Sequence, residues 1–203
     1  MTVQARKTQS AAAPDPDGPL VLAIAGGDQR AAATLMDRHL GTVLATAQRL
    51  LVDRAEAEDV AQEVFLRVWR HAGDWAPGQA KFRTWIVRVT LNLCYDRLRK
   101  KREIYTDTLP EVVDPAQSPR DALEAGEVSK AVWAAIELLP ERQRAALSLC
   151  HFEGYSNQEA ADMMEISVEA IESLLARARR TLKKSLGPLN RDLFGHVTED
   201  KAM

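Results

Sequence analysis

Two helix signals separated by a short turn near the carboxyl end constrain the fold of this 203-residue chain most strongly. Ser156-x-x-Glu159 is a capping box, in which both side chains satisfy amides at the start of a helix. It predicts a short helix from Asn157 to Met164. After a turn that contains the apolar Ile166, a second helix is predicted at 168–186. Its apolar residues recur at i, i+4, i+7 and i+11: Ile171, Leu175, Ala178 and Leu182. This is the plan of a helix-turn-helix.

The other side of the second helix carries small, polar and charged residues: Glu172, Ser173, Ala176, Arg177, Arg180 and Lys184. An arginine such as Arg177 suits guanine O6 and N7 in a major groove, and Glu172 suits the amino group of cytosine. The neighbouring cations Arg179 and Lys183 suit phosphates. An ordinary helical hairpin with a solvated basic end has the same spacing, so the pattern alone leaves both interpretations open.

A second signal is the basic stretch at 81–102. It contains eight basic residues and the single acid Asp96, a local balance of 8 − 1 = +7. A helix is predicted at 82–101, and one polar stripe on it consists of Arg88, Asn92, Tyr95 and Arg99. An apolar stripe with Trp85 lies beside it. Basic and aromatic residues in one stripe suit a nucleic-acid backbone and a few bases. A solvated helix end explains the stripe equally well.

A third signal opens at Asp53-x-x-Glu56, another capping box. The helix that follows has a buried stripe at helical spacing: Ala57, Val60, Ala61, Val64, Phe65 and Val68. Its polar face begins with Glu58, Asp59, Gln62 and Glu63. Acidic residues near a helix N-terminus suit the helix dipole. The same residues also suit a docking face for a partner helix, and the sequence leaves the two possibilities open.

The remaining glycine, proline, capping and charge signals predict two small helical domains. A Pro- and Gly-containing tail occupies 1–25, and Asp28 caps a helix to Asp37, followed after Gly41 by another at 42–51. The segment 103–127 holds seven acids, one base and several prolines, which predicts a flexible acidic linker at 103–121. Domains are therefore expected at 28–102 and 122–186. Gly187-Pro188 is expected to end the last helix, leaving a tail at 187–203.

Composition excludes several classes of protein. A net charge of −2 is incompatible with a uniformly basic coat protein, and two cysteines are too few for a disulfide framework or a cysteine zinc cluster. No apolar run approaches the roughly 18 residues of a membrane helix, so no membrane segment and a cytoplasmic location are expected. Phosphate loops, metal-binding pairs and nucleophile elbows are absent, so we expect no enzyme and no cofactor. Cys94 and Cys150 are expected to be core residues rather than redox groups.

Three segments together resemble one family, the bacterial sigma factors. Asp59–Arg70 (DVAQEVFLRVWR) resembles region 2.2, and Phe82–Arg97 (FRTWIVRVTLNLCYDR) resembles regions 2.3 and 2.4. Leu139–Arg144 (LPERQR) and the helix-turn-helix, which ends at Ala176–Arg180 (ARARR), resemble region 4. The small size and the short step from region 2 to region 4 are similar to the extracytoplasmic-function subfamily. The resemblance covers nearly the whole chain.

The resemblance implies an all-α fold of a region 2 bundle and a region 4 helix-turn-helix, and a sigma factor that directs core RNA polymerase to promoter DNA. Contact with core polymerase is implied for Asp59, Gln62 and Glu63. Reading and melting of the −10 element are implied for Lys81, Arg83, Arg88, Asn92 and Arg99. Reading of the −35 element is implied for Glu172, Ser173, Arg177, Arg180 and Lys184. Members of the subfamily commonly serve stress regulons under an anti-sigma factor, which implies that partner here.

The chain departs from the family at three positions. Glu165 stands where many members have glycine in the helix-turn-helix, and a left-handed glutamate costs about 1 kcal/mol, so a differently built turn is expected. Glu172 and Leu174 stand where many members have a cation, so an unusual −35 element is expected.

The sequence leaves three other functions open. A sigma-like decoy would titrate an anti-sigma factor, although such decoys usually carry a receiver domain and have no need of the basic stripe. A stand-alone helix-turn-helix regulator is disfavoured by the residues at Asp59, Gln62 and Glu63. An enzyme is the class least supported by the motifs.

Overall fold

A computed structural model describes the chain at residues 15–75, 81–107 and 127–194, with side chains at 15–75, 81–103 and 130–187. In these ranges every regular element is a helix, which confirms the all-α class. The N-terminal half contains α1 (Gly18–Ala25), α2 (Gln29–Leu51), α3 (Arg54–His71) and α4 (Phe82–Asp107). The C-terminal half contains α5 (Glu127–Glu137), α6 (Glu141–Leu147), α7 (Asn157–Met164) and α8 (Val168–Phe194). A 3₁₀ turn at Ala72–Asp74 follows α3, and a π-helical segment at Ser148–Phe152 follows α6.

The N-terminal half is a bundle in which α2, α3 and α4 pack on one another. The six apolar residues predicted to form the stripe on α3 are all buried. They meet equally buried side chains of the other two helices, among them Leu35 and Leu50 of α2 and Ile86 and Leu91 of α4. Burial of each such side chain contributes about 1.5–3 kcal/mol.

The C-terminal half forms the predicted helix-turn-helix. In the capping box before α7, the Ser156 hydroxyl accepts from the Glu159 amide at 3.2 Å, and the Glu159 carboxylate accepts from the Ser156 amide at 2.9 Å. On α8, Ile171, Leu175 and Ala178 are buried. Leu182 is partly buried against a smaller apolar cluster. The periodicity therefore predicted the inward side of α8.

Pro188 and Gly41 do not end helices, contrary to the sequence prediction. The predicted pair of helices around Gly41 is the single helix α2, because Leu35 and Val43 on either side are both buried in the core. A mid-helix glycine costs only about 0.5–1 kcal/mol, which this packing outweighs. At the other end, α8 continues through Gly187 and Pro188 to Phe194. The rest of the predicted C-terminal tail, 195–203, lies outside the described residues.

The N-terminal tail is shorter than predicted, because residues 18–25 form α1 and Val21 is buried. Pro19 lies in the first turn of this helix, where its missing amide hydrogen has no intrahelical partner to lose. The buried Asp17 binds His39 of α2, with 2.8 Å between Oδ2 and Nε2. Residues 1–14 lie outside the described part of the chain.

The helix α4 also runs further than predicted and takes in 103–107, the start of the predicted linker. The rest of that linker, 108–121, lies outside the described residues.

The capping box at the start of α3 is only half formed. Asp53 accepts from the Glu56 amide at 3.1 Å, but the Glu56 carboxylate binds Arg97 of α4 at 2.6 Å. A charged partner has replaced the weaker reciprocal bond to the backbone.

The two halves pack against each other. One continuous cluster of buried apolar residues takes members from both, including Val43 and Val87 from the N-terminal half and Leu149 and Ala160 from the C-terminal half. Among the described helices, none is both long enough and apolar enough to cross a membrane.

Candidate functional site

The outward side of α8 presents the residues predicted to read the −35 element. All five are exposed: Glu172, Ser173, Arg177, Arg180 and Lys184. The inward side is fixed by the buried Ile171 and Leu175. A helix held in this way offers a rigid polar surface of the width that a major groove accepts.

The turn before α8 is built on Glu165 in the left-handed conformation, with φ 54° and ψ 46°. The expectation of a differently built turn is therefore wrong. The Glu165 amide donates to the Ala161 carbonyl and closes α7, while Ile166 packs against the core. A left-handed residue other than glycine costs roughly 1–2 kcal/mol, and the packing on either side of the turn maintains it.

The residues predicted to contact the −10 element lie on α4 and just before it. Lys81, Arg88, Asn92 and Arg99 are exposed, and Arg83 is half-buried. Three of them form ion pairs within the chain: Arg83 with Glu153 at 3.0 Å, Arg88 with Glu165 at 2.8 Å, and Arg99 with Asp96 at 3.0 Å. The partners of Arg83 and Arg88 belong to the C-terminal half.

Tyr95 does not lie with the exposed part of this stripe. It is half-buried, and its hydroxyl is buried without a hydrogen-bond partner among the described residues. Burial raises its pKa to about 12, with charged groups of α6 contributing smaller effects. The tyrosine therefore faces the contact between the two halves.

An aromatic cluster anchors the start of α4. Trp75 lies 5.6 Å from Phe82 and 5.9 Å from Trp85, measured between ring centroids, in edge-on geometry. Asp15 caps the helix from outside it, since its carboxylate accepts from the Phe82 amide at 2.7 Å. These contacts fix the backbone between Lys81 and Arg83. They favour a structural role for Trp85, which is packed against the core.

The residues predicted to contact polymerase line one side of a cleft between α3 and α4. Asp59 and Gln62 are exposed, and Glu63 is half-buried. Two of these three residues already have cationic neighbours. Asp59 lies 3.4 Å from Arg97, and Glu63 lies 3.1 Å from Arg67 and 3.9 Å from Arg70. The hydrogen bond to Glu56 is the largest of several effects that raise the pKa of the Arg97 guanidinium. The face thus alternates in charge rather than being purely acidic.

A buried carboxylate, Glu153, joins the two halves, and no sequence motif indicates it. Its side chain is 6% exposed. It accepts from Arg49 at 2.5 Å, Arg83 at 3.0 Å and Thr46 at 3.1 Å, all in the N-terminal half. Burial lowers the pKa of Arg49, while the attraction of Glu153 opposes that shift. The partners of Glu153 are 70 to 107 positions away, so helical periodicity carries no signal for this contact.

Both cysteines are free thiols. Cys94 is fully buried, and burial raises its pKa to about 12. Cys150 is half-buried, and burial raises its pKa as well. A raised pKa lowers the thiolate fraction on which redox reactivity depends. Both residues suit the structural role expected of them.

Two family models match the chain. The model described as Sigma-70 region 2 matches residues 35–104, and that described as Sigma-70, region 4 matches residues 129–182. The first match contains α3 and the basic part of α4, and the second contains the helix-turn-helix.

Curated relatives agree with these matches. The chain is 33% identical over 187 residues to the RNA polymerase sigma-H factor of Pseudomonas aeruginosa, covering 87% of this chain and 96% of that protein. It is 30% identical over 174 residues to the ECF RNA polymerase sigma factor SigW of Bacillus subtilis, covering 80% of this chain and 92% of SigW.

Solved structures share the fold. CnrH, in complex with the cytosolic domain of CnrY, superposes with a TM-score of 0.60 at 26% identity, covering 86% of this chain and 99% of that chain. RpoE of Bartonella quintana, in complex with the anti-sigma factor NepR, gives a TM-score of 0.60 at 23% identity, covering 76% and 96%. Taken with the two matched regions and the curated relatives, the chain belongs to the ECF family of RNA polymerase sigma factors, which are not enzymes but bind core RNA polymerase and promoter DNA.

Proposed function

We propose that this sigma factor divides its work among three surfaces. The α3 face at Asp59, Gln62 and Glu63 docks on core polymerase, the stripe on α4 reads and opens the −10 element, and the outward side of α8 reads the −35 element. Residues 28–102 act as region 2 and residues 122–186 as region 4. The observation that carries the proposal is the exposure of all five −35 candidates on one side of α8.

The chemistry of α8 supports base reading near its start and phosphate binding further along. Ser173 and Arg177 are exposed one turn apart, where side chains from one face reach successive base pairs. Arg180 and Lys184 continue the same side toward the carboxyl end. An acid at Glu172 favours cytosine and repels phosphate, so the preferred −35 element differs from the one usual in the subfamily.

The stripe on α4 suits a melted strand. Arg88, Asn92 and Arg99 are exposed on one helix, with Lys81 exposed before it. Cations that follow the backbone together with polar groups that hold unstacked bases are the means by which proteins bind single strands. Trp85 belongs to the aromatic cluster that supports this helix.

The α3 face suits a polar partner helix, because it offers an exposed amide at Gln62 between two carboxylates. Its ion pairs with Arg97 and Arg67 are partly exposed and contribute little stability. Replacing them by ion pairs with a partner protein therefore costs little folding free energy.

An anti-sigma factor is the proposed regulatory partner, and a stress regulon the proposed target. Support comes from the subfamily to which the chain belongs. A cytoplasmic location follows from the same proposal, since polymerase and promoter are found there.

Transcription in vitro with purified core polymerase on a randomised promoter library tests the proposal. The expected result is enrichment of one −35 and one −10 sequence, with a −35 element unlike the usual one. Recovery of the usual subfamily −35 element would contradict the assignment of Glu172. A chain that binds an anti-sigma factor but supports no transcription would instead be a decoy.

A further inference from the structure

The first turn of α4 is capped from a distant part of the chain. Lys81 is the residue before the helix, and its carbonyl accepts from the Thr84 and Trp85 amides at 3.0 and 3.1 Å. A lysine side chain has no acceptor, so it cannot bind the free amides of the first turn. Instead, Oδ2 of Asp15 accepts from the Phe82 amide at 2.7 Å, across 67 positions of sequence. The start of α4 therefore depends on the N-terminal segment of the chain.

Asp15 is held in a short turn that is anchored on α2. Its Oδ1 accepts from the Asp17 amide at 3.1 Å, and its carbonyl accepts from the Gly18 amide at 3.2 Å. The buried Asp17 carboxylate in turn binds Arg38 and His39 of α2. The turn therefore fixes the Asp15 carboxylate against the first amide of α4.

The same anchor also holds the ring of Phe82. His39, whose Nε2 lies 2.8 Å from Oδ2 of Asp17, places its ring centroid 5.3 Å from that of Phe82 in edge-on geometry. Phe82 is 1% exposed. The backbone of Phe82 is thus bound by Asp15, and its ring is packed against a histidine that Asp17 orients.

Phe82 separates two cations that the proposed function assigns to the −10 element. Lys81 precedes it and is exposed, and Arg83 follows it and is half-buried. Cations that are held in place before the ligand arrives lose less conformational entropy on binding. The segment at 15–25, which the sequence predicts to be part of a flexible tail, therefore lies where it can support this DNA surface.

We propose that Asp15 is a positioning residue of the −10 surface. By capping α4 it holds Lys81 and Arg83 in one arrangement, in which they bind the melted strand. The inference rests on the proposed function, because it takes from it the −10 assignment of the two cations. The N-terminal segment then takes part in promoter opening through the helix that it caps.

The direction of the effect distinguishes positioning from charge. An acid this close to two cations weakens their attraction for phosphate, so charge alone predicts that Asp15→Ala tightens DNA binding. Positioning predicts the opposite. The affinity of the holoenzyme for the single-stranded −10 oligonucleotide recovered from the promoter library should fall by about fivefold, the scale on which one helix cap acts. Asp15→Asn removes the same charge but keeps an acceptor oxygen, so its affinity should stay within about twofold of the parent.

Asp28→Ala is the matched control. Asp28 caps α2 by accepting from the Arg30 and Ala31 amides at 2.8 and 3.2 Å, and α2 carries none of the residues assigned to the −10 element. The control therefore removes one acid and one helix cap, as Asp15→Ala does. Thermal unfolding should show similar losses of stability in the two variants, and both should co-purify with core polymerase. Only Asp15→Ala should lose affinity for the oligonucleotide.

Lys81→Ala, measured on the same oligonucleotide, separates failure of this inference from failure of the proposed function. If Lys81→Ala weakens binding while Asp15→Ala binds as tightly as the parent or more tightly, the positioning role is wrong and the −10 assignment stands. Equal losses in Asp15→Ala and Asp28→Ala, or no recovery in Asp15→Asn, would also overturn the positioning role. Normal binding by Lys81→Ala would overturn its −10 assignment and, with it, any action of Asp15 through this cation.

Discussion

Arg144 of α6 donates a hydrogen bond from Nη2 to the backbone carbonyl of Leu50, the next-to-last residue of α2, at 2.7 Å. The same guanidinium donates from Nη1 to the carbonyls of Glu137 at 2.7 Å and Leu139 at 3.1 Å. Arg144 is 6% exposed, and burial lowers its pKa despite nearby carboxylates. One buried cation therefore closes the end of α5 and joins the two halves of the molecule.

Replacing Arg144 by leucine should destabilise the fold by about 3 kcal/mol or more, because three carbonyls lose their donor in a buried place. Urea unfolding measures the change. Arg144→Lys keeps the charge but cannot reach all three oxygens. Its free energy of unfolding should therefore lie between those of the parent and of Arg144→Leu. A leucine variant within about 0.5 kcal/mol of the parent would mean that water replaces the guanidinium without cost.

Val52 should be a site where glycine is tolerated better than alanine. This β-branched residue ends α2 with φ 60° and ψ 17°, a conformation that disfavours any side chain. Relative to Val52→Ala, Val52→Gly should raise the free energy of unfolding by about 1 kcal/mol, since both lack the valine methyls and differ in the cost of the left-handed backbone. Equal denaturation midpoints for the two variants would contradict this assignment of strain.

Arg177 and Arg179 should respond differently to alanine on −35 DNA. Loss of a base-reading arginine at 177 should cost about 1–3 kcal/mol and relax the preference at one base pair. Loss of Arg179 should weaken binding to all sequences alike and reduce the salt dependence by about one phosphate contact. Binding of the holoenzyme to variants of the −35 element at several salt concentrations distinguishes the two roles. An equal loss of affinity for all these sequences in Arg177→Ala would show that Arg177 does not read a base.

Charge reversal at Arg99 should abolish open-complex formation and leave binding to core polymerase intact. Its side chain is 67% exposed and pairs only weakly with Asp96, so Arg99→Glu should fold normally. A negative charge there would repel the melted strand. Permanganate footprinting reports melting, and co-purification with core polymerase reports docking. Loss of both together would contradict the division between the α3 and α4 surfaces.

Local signals in the sequence predicted much of the fold. The capping box at Ser156 and the apolar spacing on α3 and α8 depend on contacts within a few residues, so each could be recognised in a short window. Glycine and proline were poorer guides, because Gly41 and Pro188 both lie inside helices. At Gly41 the packing of Leu35 and Val43 outweighs the local cost of a glycine.

The contacts between the halves could not be predicted in this way. Glu153 and Arg49 are 104 positions apart, and Arg144 and Leu50 are 94 apart. No periodicity links such positions, and a lone buried acid has no sequence signature. The outward face of α8 could be predicted because the apolar spacing identifies the inward face, and the outward face lies opposite to it. The pairing of Arg83 and Arg88 with carboxylates required the three-dimensional structure.

Binding of the purified full chain to core RNA polymerase tests the central claim most directly. Calorimetry should show a tight complex for the parent and for Asp37→Lys, which reverses an exposed charge on α2. It should show a loss of at least about tenfold for Asp59→Lys combined with Gln62→Ala, since a polar docking face loses both its charge and its amide. Failure of the parent chain to bind core polymerase, or equal binding by the double variant, would contradict the assignment of α3 as the surface that docks on the enzyme.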